Sequence, residues 1–403
     1  MNDAQFFELC AWLTEAGLSG QSETVTLDGF CERAVALGLP LARTTVLIDT
    51  LHPIYEGHAF LWKRDKKETA LNEYARSNKN LQLWVNSPFY RLEKSGEPLL
   101  RRRLTAETEK EFSVFPELRA DGITDYIAIA NRFAEGIVGN VDCVYSSWST
   151  DAANGFRDAE IAALCRLMPL LALTMKTASL ARIAGTLVET YLGRDAGRRV
   201  LDGRIARGVA DRIEAVLWFS DLRGYTRISD TAAPEEIIPL LNDYADAIIS
   251  AIHEQQGDVL KLMGDGVLAI FTVEDRSRAC ESALAAAVNA RVRVAALNQH
   301  RAAENLPNTE MYLGLHIGEV FYGNIGSVDR LDFTVVGPAV NEVSRIASMC
   351  PSVDQPLLVS SAFASALADS RNRLVSVGRY ALRGVSRPQE LYTLDASAPE
   401  HES

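Results

Sequence analysis

The sequence lacks any uninterrupted apolar run of about 18 residues, the length a membrane-crossing helix needs. Its longest apolar stretch, Ala159 to Met175, is broken by Glu160, Arg166 and Pro169 and reads as a buried helix. Cysteine is sparse: Cys10, Cys31, Cys143, Cys165, Cys280 and Cys350 stand without CxxC spacing and without histidines at zinc-site intervals. They read as buried or free thiols of a reducing compartment rather than as a disulfide frame or zinc centre. Basic charge is in deficit. A formal net charge of −12 disfavours broad electrostatic binding to nucleic acid or anionic lipid. An anionic small molecule stays admissible if metal ions or a few placed cations compensate it. The first residues, MNDAQFFELCAWL, carry Asp3 and Glu8 and no basic n-region, so no signal peptide and a cytoplasmic location are expected. Internal repeats and low-complexity tracts are also missing.

What is present is ordinary for globular proteins: 403 residues, 47% hydrophobic and 23% charged, enough for two domains with real cores. Four sections are expected. Residues 1–157 mix short helices with the strand-like runs Thr45 to Leu51, Ala59 to Trp62, Ile127 to Ala130 and Val141 to Trp148. Residues 158–192 predict one long helix, because Ile161, Leu164, Met168, Leu171 and Met175 recur at three- and four-residue steps and Ile183, Leu187 and Tyr191 resume the stripe. Pro169 should kink or interrupt it. Gly193 to Gly208 is glycine-punctuated and arginine-rich, a hinge by composition, so 158–208 reads as helix plus linker. Residues 209–395 form a third section of alternating strands and helices, and 396–403 a flexible tail.

Within the third section, Ala215 to Phe219 is a short buried strand, followed by the turn SDLRGYT and a helix from about Pro234 to Gln255. GDVLKLMGDGVLAIF predicts a β-hairpin turning at Met263-Gly264-Asp265-Gly266. An alanine-rich helix spans about Arg276 to Leu297. Met311 to Ile317, Tyr322 to Ile325 and Phe333 to Val336 read as separate strands, Ala339 to Met349 as a helix, and Arg379 to Leu394 as closing strands.

Two aspartates stand out. Asp221 follows the apolar strand AVLWF and Asp265 sits at the hairpin tip, so both lie at strand ends, where open sheets expose their functional edge. Mg²⁺ prefers one or two carboxylates plus substrate phosphates, which matches this supply. The glycine-containing turn Leu222-Arg223-Gly224-Tyr225-Thr226 presents backbone N–H groups suited to phosphate. Each feature alone is commonplace: a turn aspartate, a βα-turn glycine. Their order is not. FSDLRGYT, KLMGDGVLAIF and DFTVVGPAVNEVSR in succession resemble the class III adenylyl/guanylyl cyclase catalytic domain, over roughly Ile213 to Leu394.

The resemblance implies an α/β (α+β) fold: a ferredoxin-like, palm-like domain with a central, mostly antiparallel sheet flanked by helices. It implies that Asp221 and Asp265 bind two Mg²⁺ (or Mn²⁺) ions per active site and that Lys261 contacts the adenine ring. Thr334, three residues before Gly337, falls at the second base-selecting position, as in a bacterial subgroup with threonine there. Asn341 would orient the ribose and Arg345 stabilise the transition state. The residues agree independently: Asn341 and Arg345, at i and i+4, share a helix face, and a planar arginine fork there neutralises charge on a transferring phosphoryl group. Lys261 and Asp265 have the same strand parity.

In the family the metal aspartates come from one protomer and the other four residues from its partner. All six are present here, so a head-to-tail homodimer would hold two equivalent sites. Lysine donates but cannot accept, which points to ATP and to cyclic AMP rather than to GTP. A cyclase for GTP or a pyrimidine nucleotide is the first alternative, and a non-catalytic nucleotide-binding homologue, which would need a missing metal aspartate or Arg345, the second. A diguanylate cyclase would need a GGDEF-like hairpin, which MGDG does not supply. Bicarbonate responsiveness is suggested by the threonine subgroup alone.

Departures from the pattern are also visible. Glu319 stands where some members have arginine, and ALRGVSRPQELYTL lacks a lysine for the terminal phosphates, leaving Arg383 or Arg387 as candidates. His316 reads as a core histidine, and His52, His58 and His253 have no ligand spacing. Residues 1–157 look like a GAF- or PAS-type sensor, with Tyr55, Phe60, Trp62, Trp84, Phe89, Tyr126 and Trp148 as core or as the lining of a small-molecule pocket. Arg101, Arg102 and Arg103 read as a solvated edge.

Overall fold

The computed structural model describes residues 1–66, 68–134, 141–368, 370–385 and 387–395. The tail expected at 396–403 lies outside the described residues. The chain divides into two compact units, Met1–Leu187 and Val188–Ser403.

The first unit begins with helices α1 (Asp3–Leu18) and α2 (Glu23–Ala36). Asn2 and Gln5 close α1 with a reciprocal capping box, and Ser22 caps α2, so their orphan N–H groups are satisfied locally. There follow β1 (Arg43–Asp49), β2 (Tyr55–Lys63), β3 (Ala70–Ala75), α3 (Asn78–Val85), α4 (Pro88–Ser95), β4 (Leu99–Arg103), α5 (Phe115–Ala120), β5 (Asp125–Arg132), β6 (Cys143–Thr150) and α6 (Asp158–Leu192). The strands form one antiparallel sheet in the order β3-β2-β1-β6-β5-β4. Strand alternation decides which helix covers which face. Ile127, Ile129, Val144 and Trp148 pack with α1, α2 and α6, whereas Tyr126, Ala128, Cys143 and Tyr145 pack with α4 and α5. Both faces are covered, and β6 is buried at every position.

Two expectations change here. Pro169 does not interrupt α6, which runs unbroken. An interior proline costs about 3 kcal/mol, but Leu164, Leu167, Met168, Leu171 and Met175 are buried on both sides of it, each contributing about 1.5–3 kcal/mol. The same helix is long and apolar enough to cross a membrane by length and composition alone; in this fold its apolar stripe is spent on the core of the first unit. The arginine triplet stands on the edge strand with Arg103 exposed, as expected, but Arg101 and Arg102 are only half-buried and engaged in ion pairs. Asp125 is fully buried and Arg101 Nη2 lies 2.8 Å from its carboxylate, because a buried charge must be paired. Arg102 pairs with Glu111 at 2.7 Å.

The second unit contains α7 (Arg194–Leu201), β7 (Ala210–Leu222), α8 (Tyr225–Thr231), α9 (Pro234–Glu254), β8 (Asp258–Met263), β9 (Gly266–Thr272), α10 (Arg276–Ala303), β10 (Met311–Gly326), β11 (Leu331–Val336), α11 (Pro338–Val353), β12 (Leu357–Ser360), α12 (Ser361–Ala366), β13 (Leu374–Tyr380) and β14 (Gln389–Leu394). The sheet order is β13-β14-β12-β10-β7-β9-β8, with β11 pairing the far half of β10. Only β10 and β12 run parallel. Val216, Trp218, Ala269 and Phe271 face α9 and α10, while Ala215, Leu217, Leu268 and Ile270 face α7 and α11. The architecture is α+β, a mostly antiparallel sheet between helices.

Met311 to Ile325, expected as two strands, is one strand, because β7 offers an unbroken partner from Leu222 back to Ala210. The glycine-punctuated linker likewise contains α7. Its first N–H groups donate to the Asp258 carboxylate (3.1 and 3.2 Å), and Arg199 reaches Asp195 and Asp211. All six cysteines are free thiols.

Candidate active site

β7 ends at Asp221 and Leu222, and the β8–β9 turn brings Asp265 beside them. The Leu222 amide donates to Asp221 Oδ1 (3.0 Å) and to Asp265 Oδ2 (3.2 Å), so one backbone N–H ties the two carboxylates together. Gly264, at φ +66, makes the turn that delivers Asp265. Burial, then the hydrogen bond and charge of Asp265, push the Asp221 carboxyl up to about 6 from an ordinary value of 3.8. Two acids held this close without a neutralising side chain suit a divalent cation. Among the described residues no group of three or more His, Cys, Asp or Glu is placed to hold a metal. An ion here would draw the rest of its shell from substrate phosphates and water.

Of the turn residues expected near phosphate, two are turned elsewhere. Leu222 is buried and its N–H serves the carboxylates; the Arg223 N–H donates to the Glu310 carbonyl (2.8 Å), and its guanidinium pairs with Glu310 (2.6 Å). Gly224, at φ +67, precedes the short helix α8, which Tyr225 and Thr226 open without a side-chain cap on its first N–H groups.

Lys261 projects from β8 to an ion pair with Asp332 on β11. Asp332 and Thr334 alternate with buried Phe333 and Val335, so both lie on the solvent-facing side of β11. Asn341 and Arg345 follow on α11. That helix lies close against β10: a side chain at Gly314 would meet the Val343 carbonyl at 2.7 Å and the Ala347 nitrogen at 2.8 Å. Arg345 forms no ion pair with a described residue, and its guanidinium rests 3.3–3.5 Å from where a side chain at Gly384 would begin. Gly384 has φ +72, a backbone conformation that glycine adopts without strain. No hydrogen bond or ion pair joins Asp221 or Asp265 to Lys261, Thr334, Asn341 or Arg345 among the described residues. The contacts recorded for the six are the amide that ties Asp221 to Asp265 and the pairing of Lys261 with Asp332.

His316 is buried, sharing a 2.8 Å hydrogen bond with Ser360 Oγ and lying 3.0 Å from Glu342. It supports α11 rather than facing substrate. Its hydrogen bond, with help from Gln389 and the charge of Arg345, holds the Glu342 carboxyl below the usual range. Glu319 is engaged by Arg212 at 2.5 Å. Arg383 and Arg387 are exposed in the β13–β14 connection. Sequence reasoning missed Asp332, Glu342 and Gly384. Only Asp332 carried a signal, its two-residue spacing from Thr334.

Residues 210–396 match the Adenylate and Guanylate cyclase catalytic domain. An adenylate cyclase of Anabaena cylindrica is 34% identical over 157 residues, 38% of this chain and 30% of that protein. Adenylate cyclase 1 of Rhizobium meliloti (strain 1021) is 28% identical over 226 residues, 55% of this chain and 34% of that protein. The matches therefore span about a third of the length of these curated relatives. Among solved structures, the adenylyl cyclase CyaB from P. aeruginosa is 25% identical, covering 47% of this chain and 97% of that chain at a TM-score of 0.44. The match to the Adenylate and Guanylate cyclase catalytic domain thus runs through the strands that carry both carboxylates and the helix that carries Arg345, which is where the similarity of this chain to adenylate and guanylate cyclases lies.

Proposed function

We propose that the chain is an adenylate cyclase, converting ATP to 3′,5′-cyclic AMP and pyrophosphate at sites formed between two copies of itself. The observation that carries this reading is the Asp221–Asp265 carboxylate pair, tied by one amide and raised in pKa, on a domain that also carries Lys261 and Thr334. Two Mg²⁺ (or Mn²⁺) ions held by Asp221 and Asp265 would supply Lewis acidity at the ribose 3′-oxygen and neutralise phosphate charge. Lys261 donates to a ring nitrogen of adenine, and Thr334 offers a hydroxyl to the same edge. Asn341 orients the ribose so that its 3′-oxygen lies in line with the α-phosphorus; the new P–O bond forms as the bond to pyrophosphate breaks, and the hydroxyl proton passes to water. Arg345 meets the charge that develops on the phosphoryl oxygens.

Pairing of two copies is supported by apolar side chains exposed around the base-reading edge. Leu262, Met263, Phe321, Val328 and Val336 are 56, 40, 51, 84 and 42% exposed, and Phe321 and Val336 stand opposite one another on β10 and β11; exposed apolar side chains that gather into a patch mark association surfaces. The matching test is product analysis. Purified protein with Mg²⁺ or Mn²⁺ is expected to make cyclic AMP from ATP and little cyclic GMP from GTP. Lys261→Glu should lose ATP cyclisation by about a hundredfold, the scale of one well-placed charged hydrogen bond. Comparable turnover of GTP by the wild type would replace the adenylate reading with a guanylate one.

The same reading makes residues 1–157 a cytoplasmic GAF-like sensor, 158–208 its connection, and 209–395 the effector. Support comes from the six-stranded sheet with helices on both faces and from a cavity of about 450 Å³ lined by Leu47, Asp49, Tyr74, Leu81 and Trp84. Of the seven aromatic side chains, Phe60, Trp62, Phe89, Tyr126 and Trp148 are buried, and Trp84 lines the cavity. Burial, then the charges of Asp142, Glu93 and Glu56, push Asp49 up to about 7, so a cationic or hydrogen-bond-donating small molecule suits it. Removal of residues 1–195 is expected to change both cyclase rate and dimer affinity severalfold; a truncated protein that matches the full chain in both would remove the sensor from the scheme.

A further inference from the structure

We infer that His316 is a positioning residue for Arg345, acting through Glu342: with Gln389 it holds both oxygens of the Glu342 carboxylate and so keeps that carboxylate from capturing the guanidinium. This rests on the cyclase reading, in which Arg345 must be free to reach the phosphoryl oxygens. Glu342 and Arg345 stand three residues apart on α11, a spacing at which a carboxylate and a guanidinium on one helix face pair readily. Here they do not. Glu342 turns instead to β10 and β14: its Oε2 lies 3.0 Å from His316 Nε2, and its Oε1 accepts from the Gln389 amide at 3.2 Å. The hydrogen bond from His316 chiefly, and the charge of Arg345 in smaller part, hold the Glu342 carboxyl below its usual range. The arginine is thus near enough to be felt and yet unpaired.

The imidazole is itself fixed from its far side. Ser360 Oγ lies 2.8 Å from His316 Nδ1 and accepts from the Phe363 N–H at 3.1 Å. The serine hydrogen is thereby left for Nδ1, and Nε2, which faces a carboxylate, carries the ring hydrogen. His316 is buried, and a side chain at Gly318 would meet its Nε2 at 3.1 Å and the Ala339 Cβ at 2.8 Å, so the ring has little room to turn. The hairpin of β13 and β14 completes the arrangement. Gln389 opens β14 and binds Glu342, while Gly384, in the connection before it, flanks the Arg345 guanidinium. Were Glu342 released, an ion pair with Arg345 would have to break before the guanidinium met the developing phosphoryl charge. That cost would fall on the chemical step rather than on binding of ATP.

The test uses the full-length protein in steady-state assays with ATP. The variants are His316→Leu, His316→Gln, Gln389→Ala and Glu342→Gln, with Glu342→Gln also added to His316→Leu and to Gln389→Ala. His316→Leu is expected to lower kcat about tenfold, the scale of one charge-assisted hydrogen bond, with KM for ATP within about twofold. His316→Gln, which keeps an N–H donor for Glu342, should recover most of that loss. Gln389→Ala should lower the same parameter by less. Glu342→Gln added to His316→Leu should bring kcat back to the level of Glu342→Gln alone, because a neutral amide does not capture a guanidinium as a carboxylate does. A histidine needed only for packing would show no such recovery. An active wild type whose His316→Leu loss persists when Glu342→Gln is added overturns this inference and leaves the cyclase reading standing. So does a His316→Leu protein with wild-type kcat. If thermal melts show that His316→Leu does not fold, Gln389→Ala with and without Glu342→Gln makes the same comparison, with the same two outcomes. A wild type with no cyclase activity defeats the cyclase reading and this inference with it.

Discussion

Asp221→Asn is expected to lower cyclase activity by at least about a thousandfold, because loss of a metal ligand forfeits several kcal/mol of transition-state charge stabilisation. The same substitution should leave the metal-free protein at least as thermostable as the wild type at neutral pH. The sign follows from the raised carboxyl: folded Asp221 keeps its proton up to about pH 6, whereas in the unfolded chain it ionises near its ordinary 3.8. Between those values the folded state binds more protons, so stability falls as pH rises through the window and the repulsion with Asp265 is fully felt above it. Asparagine removes that repulsion. Thermal melts without metal should show a variant advantage at pH 7.5 that fades below about pH 4. Added Mg²⁺ should raise the melting temperature of the wild type far more than that of the variant, and wild-type activity should decline as pH drops through about 6, where protons compete for the carboxylates. Equal Mg²⁺ stabilisation of both proteins would take the metal away from Asp221.

Arg345→Ala should reduce kcat by about a thousandfold or more while changing KM for ATP little, the pattern of an arginine whose contact forms chiefly in the transition state. Its guanidinium has no carboxylate partner among the described residues and rests beside Gly384, so its charge is available to substrate. The second expectation comes from the proposal that Asp221 and Asp265 of one copy work with Lys261, Thr334, Asn341 and Arg345 of another. Asp221→Asn and Arg345→Ala proteins should each be inactive, yet an equimolar mixture should regain about a quarter of wild-type activity, since half of randomly formed dimers are mixed and one of their two sites is intact. Failure of the mixture, with dimers demonstrated by sedimentation, would place the whole site within one chain and end the two-copy scheme.

Much of this site was legible without coordinates. Asp221 follows an apolar strand and Asp265 falls between the glycines of a hairpin, and such signals are local: strand alternation, a two-glycine turn, an i, i+4 helix pair. The hairpin formed where the pattern placed it, between Met263 and Gly266. Where the pattern misled, the cause was a partner distant in sequence. The proline in α6 is overruled by apolar side chains buried on either side of it. The break expected near Gly318 disappears because β7 is long enough to pair across it. The composition of a hinge gives way to α7 because Asp258, some sixty residues on, caps it. Arg101 turns its guanidinium inward, remaining partly exposed, because the Asp125 carboxylate is buried.

The amino-acid sequence by itself determined which chemistry this protein carries: the kinds of side chain, their order, and the strand ends and helix face on which they stand. These depend on periodicities of two and 3.6 residues, which act over a few neighbours. Only the tertiary structure decided that one amide binds both aspartates, that Asp332 takes hold of Lys261, and that Gly384 lies beside the Arg345 guanidinium. Each of those joins segments dozens of residues apart, and such contacts are set by how the sheet and helices pack.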